Sequence, residues 1–171
     1  VLSINIALIC MGGFAAFMLG VGTSAQNQVL FSADFENGNA NAWSESGGSW
    51  AVVSDGSLVY RQSSTSSNAR ARAGSTSWTD YAVQARVKPL TFNGANRFVA
   101  LLARAQNSTN YYYLALQNNN QLQLVKLVGG ASTVLASKSF TVTTGTWYTL
   151  RIETFGTSLW GYVNGGLELT A

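Results

Sequence analysis

The sequence predicts an all-β fold, an antiparallel sandwich, and three features carry that prediction. No stretch keeps a helical period of 3.6 residues, short apolar runs rich in Val, Leu and Tyr follow one another, and Gly or Asn clusters separate the runs. The clearest stretch is 96–127, which reads NRFVALLARAQNSTNYYYLALQNNNQLQLVKL. Its three apolar runs are separated by NSTN and NNN, and Asn clusters of this kind form tight turns. We therefore expect three consecutive antiparallel strands at the centre of the domain.

Residues 1–25 differ from the rest of the chain and read VLSINIALICMGGFAAFMLGVGTSA. They carry no charge and contain a long apolar run, followed by small residues with Thr23 and Ala25 at the −3 and −1 positions of a cleavage site. This pattern predicts a secretory signal peptide and a mature domain over 26–171. The alternative is a membrane anchor, since the apolar run approaches the length that spans a bilayer. Cleavage would leave no stable membrane association and would remove Cys10, the only cysteine.

The remaining elements follow from the same signals. Before the centre, strands are predicted over 30–35, 49–53, 57–62, 69–73 and 81–90. After it, strands are predicted over 134–142, 147–155 and 158–163. Asp55-Gly56 favours a hairpin turn between two of these strands. Many short strands joined by Gly and Asn turns are typical of a jelly-roll sandwich.

Alternation along the strands assigns side chains to two faces. In 81–88, Val83, Ala85 and Val87 share one face, and Arg86 lies on the other. The same reasoning gives a concave-face set of polar, aromatic and basic residues: Arg86, Arg104, Tyr113, Gln117, Arg151 and Trp160. Aromatic rings stack on sugar rings, and Arg and Gln bind hydroxyls or carboxylates, so this set is a candidate sugar site. The alternative is that these are ordinary solvated or cross-strand residues of a half-exposed sheet.

Other polar and aromatic residues have plainer interpretations. We expect Trp43, Trp50, Trp78 and Trp147 to pack at sheet rims or in the core. Arg70 and Arg72 alternate on a short strand, where positive charge protects an edge against pairing.

Several segments together resemble the laminin-G-like members of the concanavalin A-like lectin/glucanase fold. They are DFENGNANAW (34–43), GSWAVV (48–53), RFVALLARAQNSTNYYYLAL (97–116), GTWYTLRIE (145–153) and LWGYVNG (159–165). More narrowly, they are similar to the accessory domains of bacterial secreted polysaccharide lyases, pectate lyases among them. The resemblance implies a concanavalin A-like jelly roll over 29–171. It also implies a further strand beyond Ala171, lying beside the first strand, so that the domain as given would be truncated before its last strand.

The sequence argues against catalysis by this domain. It contains no histidine, which excludes Ser-His-Asp triads and most zinc sites. Paired carboxylates remain a route to glycoside hydrolysis. Glucanases of the fold that this sequence resembles carry an ExDxE or ExDxxE string of acidic residues, and this sequence has none. Glu153 stands alone on its strand.

Asp34 and Glu36 flank Phe35 on the first predicted strand. One interpretation is a structural calcium site, because carboxylate oxygens are the ligands that Ca²⁺ prefers. The other, which we favour, is that these acids face solvent or cap a turn. No cofactor is required.

The interpretation is a secreted, non-catalytic module that binds carbohydrate as an accessory domain of a polysaccharide-degrading protein. Ten Lys and Arg against seven Asp and Glu give a net charge of +3, which suits a neutral or acidic polymer such as a polyuronate. The basic residues are scattered, which disfavours nucleic acid, and we expect a monomer. Two alternatives stay open: the N-terminal part of a lyase or glycoside hydrolase with its active residues downstream, or an adhesion or spacer domain without a ligand.

Overall fold

The computed structural model describes residues 2–5, 11–12, 28–65 and 69–171, and within these ranges every strand pair is antiparallel and no residue is helical. The strands are β1 (Leu2–Asn5), β2 (Met11–Gly12), β3 (Gln28–Val29), β4 (Ser44–Ser46), β5 (Trp50–Ser54), β6 (Leu58–Gln62), β7 (Arg70–Arg72), β8 (Tyr81–Pro89), β9 (Phe98–Ala103), β10 (Tyr111–Gln117), β11 (Gln121–Val128), β12 (Ala131–Ser139), β13 (Tyr148–Phe155), β14 (Ser158–Val163) and β15 (Gly166–Thr170). The predicted fold class, an antiparallel β-sandwich, is confirmed.

Two sheets of unequal width form the sandwich. The large sheet has the order β15-β14-β13-β8-β1-β6-β5, and β2 pairs with both β8 and β3. The four-stranded sheet has the order β12-β11-β10-β9. Its strand β9 packs against β8 and β13, while β11 and β12 pack against β15. The four-stranded sheet therefore covers the β15 side of the large sheet.

The core between the two sheets is aliphatic. Leu114, Leu116, Leu122 and Leu124 from the four-stranded sheet are fully buried, as are Leu150 and Ile152 from the large sheet. Within β14, Gly161 lies opposite Leu114, and a Cβ built on Gly161 would be 2.9 Å from a methyl carbon of that leucine. The two sheets approach closely at this point because Gly161 has no side chain.

The β5–β6 end of the large sheet is covered by different elements. Tyr60 on β6 stacks against Phe35 and Trp50, with ring centroids 5.2 and 5.0 Å apart. The short ribbon of β4 and β7 lies over the same region, and the Tyr60 hydroxyl donates to the Glu45 carboxylate on β4. An aromatic cluster and a two-stranded ribbon thus replace the second sheet over β5 and β6.

The sequence predicted most strand faces correctly. Val83, Ala85 and Val87, which alternation placed together on one face, are buried. The predicted strand over 30–35 is wrong, since only Gln28–Val29 pairs there. Phe35 has a φ of 63°, and three consecutive turns closed by Asp34, Asn37 and Asn39 side chains interrupt the extended backbone. Strands β4 and β15 were not predicted.

The predicted signal peptide lies outside the described residues, apart from Leu2–Asn5 and Met11–Gly12. The backbone of Leu2–Asn5 pairs with β6 and β8. Export with cleavage after Ala25 stays a prediction, as does a further strand beyond Ala171. Nowhere in the described ranges does a helix reach the length and apolarity needed to cross a bilayer.

Candidate functional site

A cleft of about 710 Å³ runs along the free edge of β9. Strand β9 ends the four-stranded sheet and pairs only with β10 in the described part of the chain, and the segment 69–76 lines the same cleft. The inner side of β8 contributes Val83, Ala85 and Val87 to the wall. The cleft exists because the four-stranded sheet is too narrow to cover the large sheet, and the β4–β7 ribbon closes the remaining area incompletely.

The described lining of this β9 cleft is aromatic and basic. Its aromatic members are Trp43, Trp50, Trp78, Tyr81, Phe92, Phe98, Tyr111 and Tyr113. Its charged members are Arg70, Arg72 and Arg97, and no Asp or Glu is among the described lining residues. Three guanidinium groups, with no carboxylate in the described lining, make the cleft electropositive.

Three buried N–H donors belong to this lining and have no hydrogen-bond partner among the residues that the structure describes: Trp43 Nε1, Gln62 Nε2 and Arg70 Nε. Gln62 is only 6% exposed. A buried donor without a partner costs about 1–3 kcal/mol, so such groups are uncommon in a finished core. All three unpaired atoms are donors, and none is an acceptor.

Arg70 is held in place by long-range contacts. Its Nη1 donates to the carbonyl oxygen of Ser108 at 2.8 Å and to the Tyr111 hydroxyl at 3.0 Å. These bonds attach the start of β7 to the loop before β10. The guanidinium is therefore fixed at the cleft wall.

Trp78 owes its position to a glycine. Gly74 has a φ of +90°, and a Cβ at that residue would lie 2.3 Å from the Trp78 ring. Only glycine allows both this backbone conformation and the close approach of the indole. Trp78 also packs edge-on against Tyr81, with 6.1 Å between ring centroids.

The six predicted sugar-binding residues do not share one face, so the expected common surface is wrong, while a role of each residue in sugar binding stays a prediction. Arg86, Arg151 and Trp160 lie on the outer face of the large sheet, as the pairings of β8, β13 and β14 require. Tyr113 and Gln117 lie on the outer face of the four-stranded sheet. The hydrophobic core separates these two surfaces. The strands that carry the two groups of residues show the same alternation in sequence, but they belong to different sheets.

On the outer face of the large sheet the predicted residues have local partners. The Arg86 guanidinium lies over the Trp147 ring at 5.0 Å, and Lys88 lies over the same ring at 4.9 Å. Arg151 forms an ion pair with Glu153 at 2.5 Å. Burial and, secondly, the Glu153 charge raise the pKa of Tyr162 beside this pair. This surface is a set of local pairs between neighbouring side chains of the sheet.

The outer face of the four-stranded sheet is more apolar. Tyr113 stacks nearly parallel on Phe98, with centroids 5.5 Å apart, and is buried. Burial, followed by the neighbouring Tyr111, raises the pKa of Tyr113. Gln117 donates to Gln123 at 2.8 Å. Of the six predicted residues, only Tyr113 belongs to the described lining of the β9 cleft.

Arg104 has a structural position. Its guanidinium donates to the carbonyl oxygens of Thr79 at 2.6 Å and Gly156 at 2.9 Å, and to the Asp80 carboxylate at 2.9 Å. Each of the three guanidinium nitrogens has a protein partner. Arg104 therefore fastens the end of β9 to two turns of the large sheet.

The seven carboxylates of the chain are all engaged. The pairs are Asp34 with the Glu36 N–H, Glu36 with the Leu58 N–H, Glu45 with Tyr60, Asp55 with Lys88, Asp80 with Arg104, Glu153 with Arg151, and Glu168 with Lys138. The described residues contain no group of three or more His, Cys, Asp or Glu able to hold a metal ion. The bonds of Asp34 and Glu36 fit the turn-capping interpretation, and a calcium site at these two residues stays a prediction.

Sequence reasoning missed the main contributors to the β9 cleft. It assigned Trp43, Trp50 and Trp78 to rims or core, and Arg70 and Arg72 to edge protection. The three indoles do pack against the core, but they line the cleft as well. The available signal was the pair of arginines beside a Gly-Ser-Thr-Ser-Trp turn at 74–78, which has no counterpart elsewhere in the chain.

Comparison with known proteins supports the fold. A carbohydrate-binding module, CBM66 from Bacillus subtilis, superposes with a TM-score of 0.60 at 20% identity, covering 76% of this chain and 78% of that one. An extracellular exo-alpha-L-arabinofuranosidase of Streptomyces chartreusis is 31% identical over 146 residues, which is 84% of this chain and 17% of that enzyme. This chain thus spans about a sixth of that relative's length. No protein-family model matches the sequence. The narrower resemblance to pectate lyase accessory domains stays a prediction.

Titration of Tyr60 provides a test of the ribbon contact. Burial first, and then the hydrogen bond and charge of Glu45, raise the pKa of Tyr60 above its ordinary value of about 10. Because the pKa is raised in the folded state, the stabilisation that protonated Tyr60 contributes is fully present below about pH 10. It is lost as the pH rises further. We expect the free energy of unfolding to fall more steeply above pH 10 in the wild type than in Tyr60→Phe, by up to about 1.4 kcal/mol per pH unit. Urea unfolding at pH 9 to 11.5 measures both slopes, and equal slopes would contradict the assignment.

Proposed function

We propose that this domain is a non-catalytic carbohydrate-binding module whose ligand lies in the β9 cleft. The observation that carries the proposal is the lining itself, with indole and phenol rings beside three arginines. Aromatic rings stack on the apolar faces of sugar rings, and guanidinium groups donate to their oxygens. The volume of about 710 Å³ is that of a small-ligand pocket.

The engagement of all seven carboxylates supports binding without catalysis. Glycoside hydrolysis needs two carboxylates that face the scissile bond from opposite sides, and the described cleft lining offers none. The glycosidase relative supports the view that the parent protein degrades a polysaccharide. The predicted signal peptide, together with the extracellular relative, supports export.

The preferred ligand is an acidic polysaccharide such as a polyuronate. Arg70, Arg72 and Arg97 supply positive charge, and the described lining contains no acid to oppose it. A guanidinium fork matches a carboxylate in geometry as well as charge. Such binding weakens as salt rises, because exposed charges are screened within about 8 Å at physiological ionic strength.

Affinity electrophoresis in gels cast with polygalacturonate, alginate, laminarin and xylan tests the proposal. We expect retardation in the uronate gels, decreasing with added salt. Arg72→Ala should weaken binding by about 1–3 kcal/mol if its guanidinium makes a charge-assisted bond to the ligand. Arg72 suits this test because it lies on the cleft wall and the structure gives it no ion pair with a described residue.

Arg86→Ala is the matched control, since Arg86 lies on the outer face of the large sheet and is absent from the described cleft lining. It should bind like the wild type. A loss of binding in Arg86→Ala with none in Arg72→Ala would place the ligand on the outer sheet face. Retardation only in laminarin or xylan would leave a binding module and refute the acidic preference. Retardation in no gel would favour the spacer interpretation.

A further inference from the structure

The β9 cleft continues into an aromatic surface at the edge of the four-stranded sheet. Phe98, the first residue of β9, is 50% exposed and belongs to the described lining of the cleft. Its ring stacks on Tyr113, with 5.5 Å between centroids and 11° between planes. Tyr111 follows at 5.8 Å from Tyr113, and the Tyr111 hydroxyl accepts from Arg70 Nη1 at 3.0 Å. A continuous row of rings therefore leads from Arg70 to Phe98.

The strand register explains how Phe98 is held with half of its side chain exposed. Ala100 and Ala115 pair directly, and they lie between Phe98 and Tyr113 in the register. These two small side chains leave space for the rings to meet, and Ala115 is fully buried although it points away from the core between the sheets. Tyr113 covers one face of the Phe98 ring, and the exposed part of that ring is open to a ligand.

Two amides lie beside the Phe98 ring. Gln117 is the direct register partner of Phe98, which places their Cβ atoms about 4.5–5.5 Å apart. Gln117 Nε2 donates to Gln123 Oε1 at 2.8 Å, and both side chains are partly exposed. Two amides joined by this bond leave one carbonyl oxygen and one amino group that the pair does not use, whichever way both amides are turned. Those groups can accept from and donate to the hydroxyls of a sugar.

The outer face around Phe98 is uncharged. Every register partner on this face from β9 to β11 is apolar, aromatic or an amide, in contrast to the arginines of the cleft. A sugar unit can meet such a surface through the apolar face of its ring and through its hydroxyls. We propose that Phe98, Gln117 and Gln123 form a subsite for a further sugar unit of the bound chain, next to the arginine-lined cleft. This inference rests on the proposed function and extends it from one sugar unit to a stretch of polymer.

Phe98→Leu tests the subsite, because leucine keeps the apolar bulk and has no ring on which a sugar can stack. Isothermal titration calorimetry should show hexagalacturonate bound roughly threefold to tenfold more weakly than by the wild type. Digalacturonate, which the cleft arginines hold, should bind equally well to both proteins. The loss should be the same at low and high salt, because stacking on an uncharged ring is not screened. The melting temperature should stay close to that of the wild type, since the side chain is half exposed.

Replacing both amides together, Gln117→Met with Gln123→Met, provides a second variant. It removes the groups that contact hydroxyls and leaves neither amide without its partner, so the fold should be kept. Hexagalacturonate should again bind more weakly, and digalacturonate should not. Phe155→Leu is the matched control, since Phe155 is 47% exposed, ends β13 in the large sheet and is absent from the described cleft lining. It should bind both oligomers like the wild type.

Unchanged hexagalacturonate affinity in Phe98→Leu, or equal weakening of both oligomers, would overturn the subsite and leave the proposed function standing. A wild type that binds hexagalacturonate no more tightly than digalacturonate would overturn it as well. If the wild type binds neither oligomer, the acidic ligand of the proposed function is refuted, and the same variants are compared on xylobiose and xylohexaose. A loss confined to xylohexaose would then support the subsite, and no loss would overturn it.

Discussion

Replacing Arg104 by alanine is expected to lower the free energy of unfolding by about 2–4 kcal/mol while leaving carbohydrate binding of the folded protein unchanged. The alanine side chain cannot reach the carbonyl oxygens of Thr79 and Gly156 or the carboxylate of Asp80. Those acceptors lie in two turns, and without the Arg104 side chain the end of β9 is no longer bonded to either turn. The effect is large because three charge-assisted bonds disappear together, and hydrogen bonds to charged groups are the strong ones.

Urea denaturation measures this change, and gel retardation at a temperature where both proteins are folded measures binding. Arg86→Ala is again the control, because its guanidinium lies over the Trp147 ring and makes no bond to those two turns. It should cost about 1 kcal/mol or less. An Arg104→Ala protein that is as stable as the wild type but no longer binds would restore Arg104 to the ligand site.

Gly161→Val is expected to destabilise the sandwich by about 2–4 kcal/mol. A Cβ at residue 161 would lie 2.9 Å from one methyl carbon of Leu114 and 3.5 Å from one of Leu124. Both leucines are fully buried, so they have little room to move. Gly161→Ala adds only the first carbon and should cost about 1 kcal/mol, because the leucine methyl can shift slightly.

A double-mutant cycle identifies the cause. Leu114→Ala alone should cost about 2–5 kcal/mol, and in that background Gly161→Val should cost much less, because the valine occupies part of the new cavity. Gly156→Ala serves as the control, since its Cβ would meet nothing within 4 Å and its φ of +53° gives only a conformational cost. Additive effects of the Gly161 and Leu114 substitutions would show that the two residues do not compete for space.

The sequence allowed prediction of the local structure to a large extent. Alternation placed Val83, Ala85 and Val87 inward on β8, and the structure buries all three. The Asp55-Gly56 signal correctly indicated the β5–β6 hairpin. These predictions succeed because a strand's two faces and a turn's dihedral angles depend on residues close together in the chain. The strand over 30–35 failed because side-chain oxygens of Asp34 and Asn37 bond to nearby backbone instead, a local competition that apolar patterning does not reveal.

The candidate site was less predictable, for a physical reason. Alternation tells which residues share a side of one strand, but it does not tell which sheet the strand joins. Tyr113 and Arg151 were therefore assigned to one surface, although the hydrophobic core lies between them. The β9 cleft depends on contacts far apart in sequence, such as Arg70 with Ser108 and Tyr111, which are 38 and 41 residues away.

By itself, the sequence determined the fold class, the order of most strands, their inward faces, and a composition suited to binding more than to histidine-dependent catalysis. Those properties follow from the period of the side chains, from turn residues and from residue types that are present or absent. Only the tertiary structure decided which polar residues meet. The unequal widths of the two sheets leave β9 with a free edge, and the cleft beside that edge is lined by residues from distant parts of the chain, among them Trp43, Gln62 and Arg70. Such a cleft arises from how sheets stack, and no single strand encodes it.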